Sequence, residues 1–428
     1  MNKVRKKIRQ ALASDFLKNI GKMMSGTGFA HLIGIIMIPA LTRIYTPGEI
    51  GVYAAFLSVS VICYSVASLR FEYATLIPKS DYAANNISVL AILTALSSSF
   101  LVLVLLVLFG NTIADLLNIQ KLGRLIYLIP FSMFAFSLFM ILSFSLNRYR
   151  RYGAIAGGKI TISTTMAIGQ IGLGLMQLKQ TGLVIGKVAS DLLGVIFLIW
   201  HRQKLDSSIR AGVSPRRMKL MALRYKNFPL YNAPHALTTT ASSNFPVLLF
   251  NSFVSEAIAG FYSMAIKALY SPVRVVAQAG YQVFSQRISE KYGNRERLIP
   301  FMKSTVLLLV GSGFLPFLVL FWISPPFFTW FLGPAWEMTG LFVRILTPYI
   351  FLVFIVTPLN FIPLMLDRQR RAFVIDVFYL LARIAALGVG IYVENVFLAL
   401  ALYSVTGVVV NGYLLFWYFS LAVRAEKY

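Results

Sequence analysis

LSSSFLVLVLLVLF, residues 96–109, and VLLLVGSGFLPFLVLFW, residues 306–322, contain no ionisable side chain and no polar face. A helix built from either is apolar all round, and lipid is the solvent that matches such a surface. Outward from these two runs the composition agrees: 58% of the chain is hydrophobic and only 13% is charged. That excludes an ordinary soluble globular domain. The single cysteine, Cys63, excludes an internal disulfide framework, and no Cys/His spacing suits a metal. The basic start of the chain leads into an apolar stretch without a small-residue cleavage site, so no cleavable signal peptide is expected.

Twelve segments approach the roughly 20 residues that a bilayer crossing needs. They are 23–42, 50–69, 87–109, 125–146, 153–175, 182–200, 231–251, 257–280, 304–324, 341–364, 373–392 and 396–419. The expected fold is an all-α polytopic membrane protein. The fifth, seventh and eighth segments are rich in Gly, Thr, Ser or charge, a composition that suits a cavity face better than lipid. With the N-terminus placed inside, Lys and Arg crowd the inner loops and nearly vanish from the outer ones. This is a positive-inside bias that puts both termini in the cytoplasm. It accounts for the net charge of +25 through contact with an anionic inner leaflet, without nucleic acid.

The domain reading follows from the spans. Residues 1–22 form a basic arm in which Val4, Ile8, Leu12 and Phe16 recur among lysines and arginines. That is the pattern of an amphipathic surface helix or of a basic tail that only enforces topology. Residues 23–200 make a first six-helix lobe, 201–230 a basic cytoplasmic linker, 231–420 a second six-helix lobe and 421–428 a cytoplasmic tail. The lobes look duplicated. Glu49-Ile50-Gly51-Val52-Tyr53 matches Glu256 with Gly260-Phe261-Tyr262, and Leu128-Ile129-Pro130-Phe131 matches Leu346-Thr347-Pro348-Tyr349. Asn147-Arg148-Tyr149-Arg150-Arg151 likewise matches Asp367-Arg368-Gln369-Arg370-Arg371. Six spans per lobe make this a parallel repeat, and transporters with such repeats bind substrate between the halves.

Three stretches carry a family resemblance: residues 39–53 (PALTRIYTPGEIGVY), residues 228–235 (FPLYNAPH), and a set running from Asn244-Phe245-Pro246 through Gly260-Phe261-Tyr262 to Ser271-Pro272 and Gln282-Val283-Phe284. With the 6+6 layout, they resemble the MOP (multidrug/oligosaccharidyl-lipid/polysaccharide) exporter superfamily. Within it the chain is similar to flippases of O-antigen and related repeat units in lipopolysaccharide biosynthesis. The resemblance implies two pseudo-symmetric lobes around a central cavity, in a bacterial inner membrane. It also implies an undecaprenyl-pyrophosphate-linked glycan as partner, with polysaccharide assembly enzymes as further partners and no cofactor.

Charges at bilayer depth cost roughly 2.5–3.5 kcal/mol each on insertion scales and usually mark a pathway. Lys267 and Arg274 lie two turns apart on one helical face and suit a pyrophosphate, as a point charge and a bidentate fork. Arg274 equally suits snorkelling to the interface. Arg383 is mid-span, with Asp376 on the same face as a salt-bridge partner. Lys187 and Asp191 are four apart and can pair; Asp191 is otherwise the best carboxylate for ion coupling. Lys159 and Arg344 are placed for snorkelling, while Arg70 and Glu72 suit either a cytoplasmic gate or ordinary boundary charges. His31 and His235 occupy corresponding places in the two lobes and titrate near neutral pH, so both are candidates for proton coupling or for packing. The Thr238 to Asn244 run, with Gln278 and Gln282, offers neutral donors for sugar hydroxyls or for helix packing.

The intramembrane surplus of cations fits an anionic lipid-linked substrate. It disfavours a cation-coupled multidrug exporter, which relies on intramembrane carboxylates. A membrane glycosyltransferase or polymerase needs catalytic residues in a large outer loop, and the outer loops here are short. No Walker lysine motif or catalytic triad is visible, so neither ATP hydrolysis nor covalent catalysis is indicated.

Overall fold

The computed structural model describes residues 28–30, 32–203 and 212–426. The basic N-terminal arm and His31 lie outside the described residues, as does the side chain of Gln278. Among the described residues there are helices and connecting turns but no strand. The expected spans coincide with helices, the first of them only within its described residues, from 28 on. In chain order these are α1 (Ile38–Ile44, with helical residues before it), α2 (Pro47–Ala67), α3 (Asp81–Leu116), α4 (Leu128–Arg148), α5 (Tyr152–Leu175) and α6 (Lys179–Gln203). Then follow α7 (Ala233–Phe253), α8 (Glu256–Gly293), α9 (Ile299–Leu332), α10 (Glu337–Val356), α11 (Gln369–Tyr392) and α12 (Val396–Ala425). Among the described residues, eight of the spans are long and apolar enough to cross a membrane, by length and composition. The fifth, seventh and eighth, flagged above as polar, are not among them.

The chain divides into two compact units. The first holds Phe56–Thr240 with the chain before Thr46, and the second holds Thr46–Ala55 with the chain from Ala241. In the first unit α3 turns Leu101, Val107, Leu108 and Phe109 outward, each more than half exposed, which fits a lipid-facing surface. The low hydropathy of α5 has a packing cause. Gly158 sits on Leu198 of α6, Gly169 lies against Gly186, and Gln170 donates to the carbonyl of Leu183 at 3.0 Å. Small residues let the two backbones approach, as in other membrane helix pairs. Arg148, at the end of α4, anchors the turn before α3. It pairs with Asp81 at 2.7 Å and donates to the carbonyls of Thr75, Pro78 and Lys79 at 3.3, 2.7 and 3.1 Å.

In the second unit the repeated motif acquires a physical meaning. Thr46 and Glu49 form a reciprocal capping box at the start of α2, with Pro47 in the first turn (Thr46 N to Glu49 Oε2, 2.9 Å; Glu49 N to Thr46 Oγ1, 3.3 Å). Ser255 caps α8 by accepting from the Ile258 amide at 3.2 Å. The matched glycines then meet. A Cβ on Gly51 would fall 1.7 Å from the Glu256 carbonyl oxygen, and one on Gly260 would fall 2.0 Å from that of Pro47.

Arg344 corrects an expectation. It does not snorkel; its Nε and Nη2 donate to the carbonyls of Phe321 and Trp322 in α9, at 3.0 and 3.2 Å. Those two carbonyls would ordinarily accept from residues 325 and 326, and both are proline and lack an N–H. The guanidinium supplies the donors that the prolines remove. Gly340, one turn earlier on α10, allows the close crossing, because a Cβ there would meet Pro325 Cα at 2.6 Å.

Arg344→Leu should therefore destabilise the detergent-solubilised protein by about 2 kcal/mol, the order of a buried acceptor left unpaired. In a Pro325→Ala/Pro326→Ala background the penalty should shrink, because amides return to both positions; equal penalties in the two backgrounds would refute the pairing. Gly51→Ala should lower the melting temperature, whereas Gly388→Ala, with open space around it, should be neutral or stabilising by up to about 1 kcal/mol.

Candidate functional site

The second unit holds three of the sequence-selected cations: Lys267 and Arg274 on α8, and Arg383 on α11. Counted from its N-terminus at about 1.5 Å per residue, α8 reaches Lys267 after about 17 Å and Arg274 after about 27 Å. With the N-terminus of α8 set at one boundary of a hydrocarbon core of about 30 Å, Lys267 would lie at mid-depth and Arg274 near the far boundary. Lys267 is half-buried and Arg274 is exposed. Neither makes an ion pair with a described residue.

Arg383 is only 6% exposed, and it does not pair with Asp376. It sits in a cage of tyrosine rings instead. Its Cζ lies 4.2 Å from the ring centroid of Tyr379, 4.4 Å from Tyr403 and 4.8 Å from Tyr349. A fourth tyrosine, Tyr262, donates its hydroxyl to that of Tyr403 at 3.3 Å. The cage draws one tyrosine from each of α8, α10, α11 and α12. Tyr379 precedes Arg383 by four residues and so shares its helical face. Tyr349 is seated against Gly407, where a Cβ would approach its ring to 2.2 Å. Ring quadrupoles attract a desolvated guanidinium by about 2 kcal/mol or more each, which offsets part of the cost of burying an unpaired charge. Nε and Nη2 still find no acceptor among the described residues.

Sequence reasoning selected Arg383 but missed its tyrosines. The visible signal was Tyr379 at i−4; the other three come from other helices and required the fold.

The first unit holds the remaining described candidates. Lys187 Nζ pairs with Asp191 Oδ2, and Ser132 donates to the same oxygen at 3.4 Å. Asp191 is fully buried, and its Oδ1 accepts nothing from a described residue. Lys187 also lies 5.5 Å from the Phe136 ring. Glu72 is buried and hydrogen-bonded to Ser68 Oγ, with Arg70 at 3.6 Å and stacked on Tyr73. Arg70 and Glu72 thus form a local cluster at a helix break where Leu69 and Arg70 adopt positive φ. His235 is exposed on α7, and Lys159 on α5 is half-buried. Asp376, on α11, is also half-buried. Thr238 and Thr239 direct their hydroxyls to carbonyls four residues back on α7.

Residues 40–339 match the profile of a family described as polysaccharide biosynthesis protein. The chain belongs to that family. No curated protein matches it by sequence. The chain is similar in fold to the lipid II flippase MurJ in an inward closed conformation. The TM-score is 0.72 at 14% identity, over 94% of this chain and 90% of that one. It is also similar to an inward-facing multidrug resistance MATE transporter of the MOP superfamily (TM-score 0.57, 12% identity, 95% of each chain). The MATE transporter VcmN of Vibrio cholerae in its bent form scores 0.53 at 13% identity, over 97% of this chain and 98% of that one. At these identities the likeness is one of fold. The family member described here is a multi-pass membrane protein with a MOP-type helical architecture.

If the cage exists to hold a charge, Tyr403→Leu, which removes a ring and leaves the cation, should cost about 2 kcal/mol. Arg383→Leu, which removes the charge and keeps apolar volume, should be neutral or stabilising. Thermal melts in one detergent compare them, and a greater loss from Arg383→Leu would contradict the reading.

Proposed function

We propose that this protein is a flippase that turns an isoprenoid-pyrophosphate-linked oligosaccharide from the cytoplasmic to the outer leaflet by alternating access. One observation carries the reading: Lys267, Arg274 and Arg383 have no carboxylate partner among the described residues. Three unneutralised cations at or near bilayer depth are costly unless they serve an anion. A pyrophosphate brings that anion, and moving it unaided through hydrocarbon is prohibitive. The family and the MurJ-like fold support a lipid-linked substrate; MurJ itself is described as a lipid II flippase.

The roles divide by exposure. Lys267 and Arg274 meet the phosphates, and Arg383, under its tyrosines, supplies a fixed positive potential behind them. Lys187 and Asp191 are the coupling pair, since protonating Asp191 releases the Lys187 ammonium. His31, His235 and Asp376 are further coupling candidates. Arg70 with Glu72, and Lys159, act at the cytoplasmic end of the path. The protein resides in the bacterial inner membrane with both termini cytoplasmic and performs no covalent chemistry.

Mass spectrometry of isoprenoid-pyrophosphate glycans from cells with and without the gene tests this. Accumulation of a completed repeat unit without the gene, relieved by wild type but not by Lys267→Ala/Arg383→Leu at equal membrane abundance, is the expected result. Full relief by the double variant would remove both residues from the mechanism. No accumulation, together with altered sensitivity to cationic toxins, would move the assignment to the multidrug exporters.

A further inference from the structure

A second basic site lies within the second unit, at the end of the bundle that the charge bias assigns to the cytoplasm. The last turn of α8, the connection from it to α9, the turn before α11 and the end of α12 surround a cavity of about 960 Å³. Arg295, Arg297, Arg368 and Arg424 line it, over a floor that includes Leu298 and Leu421. Leu298 and Leu421 are buried, while the four arginines are exposed.

Two carboxylates also border the cavity, and both are already engaged. Glu426 accepts from the backbone amides of Leu298 and Ile299, the latter at 2.8 Å, and so caps α9 from the end of α12. Glu296 pairs with Lys291 at 2.5 Å, and hydrogen bonds from Lys291 and Asn294 hold its carboxyl below the ordinary value. None of the four arginine side chains makes an ion pair with a described residue. The cavity therefore carries four unneutralised guanidinium groups, whose planar forks match phosphate oxygens.

Its depth points to the membrane surface. On α12, Trp417 and Tyr418 lie seven and six residues before Arg424, about 10 Å along the helix. Arg371 stacks on Trp417 at 5.4 Å and donates to Tyr413 at 3.1 Å. Tyr413, unlike the buried Trp417 and Tyr418, is exposed, and an exposed tyrosine flanked by arginine suits the headgroup level.

We infer that this arginine basin binds a phosphate-bearing ligand, with the headgroup of an anionic inner-leaflet phospholipid as its natural source. Basic pockets between helix ends on the cytoplasmic side commonly take such headgroups. The site is separate from Lys267 and Arg383, and its test does not depend on what the protein transports.

The experiment uses the full chain in nanodiscs of phosphatidylcholine doped with phosphatidylglycerol or cardiolipin, read by native mass spectrometry, with pyrophosphate calorimetry in detergent as a second arm. The basin variant is Arg295→Gln/Arg297→Gln/Arg368→Gln/Arg424→Gln. An equal-charge control is Arg150→Gln/Arg151→Gln/Arg216→Gln/Lys219→Gln, and melting curves confirm that both fold. Retention of anionic lipid by wild type and control, with about tenfold or greater loss in the basin variant, supports the lipid source. Pyrophosphate binding lost only in the basin variant, without selective lipid retention, supports the site with a soluble ligand. Equal behaviour of the basin and control variants in both arms overturns the proposal, because bulk surface charge then explains all binding.

Discussion

Hydrocarbon offers a polypeptide no hydrogen bonds, so any break in a membrane helix must be repaired from within the protein. Much of this structure consists of such repairs. The double proline of α9 frees two carbonyls, and Arg344 reaches across from α10 to both. The turn ahead of α3 exposes three carbonyls, and Arg148 takes them together with Asp81. The amides that open α2 and α8 are capped by Glu49 and Ser255, and those that open α9 by Glu426, more than a hundred residues further along the chain. Each repair places a charged or polar side chain where composition alone suggests a functional group.

That accounting separates structural charges from the rest. Arg148, Arg344 and Glu426 have their valence satisfied by backbone. Lys187 pairs with one oxygen of Asp191, and Arg70 with Glu72 form a local cluster around Ser68. Lys267, Arg274 and Arg383 have no comparable explanation, and all three fall in the second unit. Arg383 differs from the other two because aromatic faces stabilise its charge without cancelling it. A carboxylate neighbour would have removed the field; tyrosine rings leave it in place while still packing as core.

The span positions were legible because long apolar runs have one solvent, and eight of the spans are membrane-length apolar helices among the described residues. The repeated Glu–Gly–Tyr motif was also visible, but its meaning was not. Only the fold shows that Gly51 and Gly260 are where two backbones touch. Low hydropathy in α5 read as a cavity face, whereas its glycines and Gln170 serve the contact with α6. Arg344 was misjudged for a related reason: its distance from the interface was readable, but the carbonyls it serves lie about six turns upstream on another helix. The Pro325-Pro326 pair was the available clue. Asp376 seemed a natural partner for Arg383 by spacing alone, yet a seven-residue interval guarantees only a shared face. The tyrosines that took its place came from helices that only tertiary packing assembles.

The length of α8 has a geometric corollary. At 38 residues it extends for about 57 Å, nearly twice the hydrocarbon thickness, and its N-terminal tip is held at the Gly51–Gly260 crossing. A rod pinned at one tip behaves as a lever. A tilt of about 10° about that fulcrum sweeps the opposite tip by about 10 Å, while Lys267, less than a third of the way along, travels only about 3 Å. Large excursions at the far tip of α8 are thus compatible with a nearly stationary charge at Lys267.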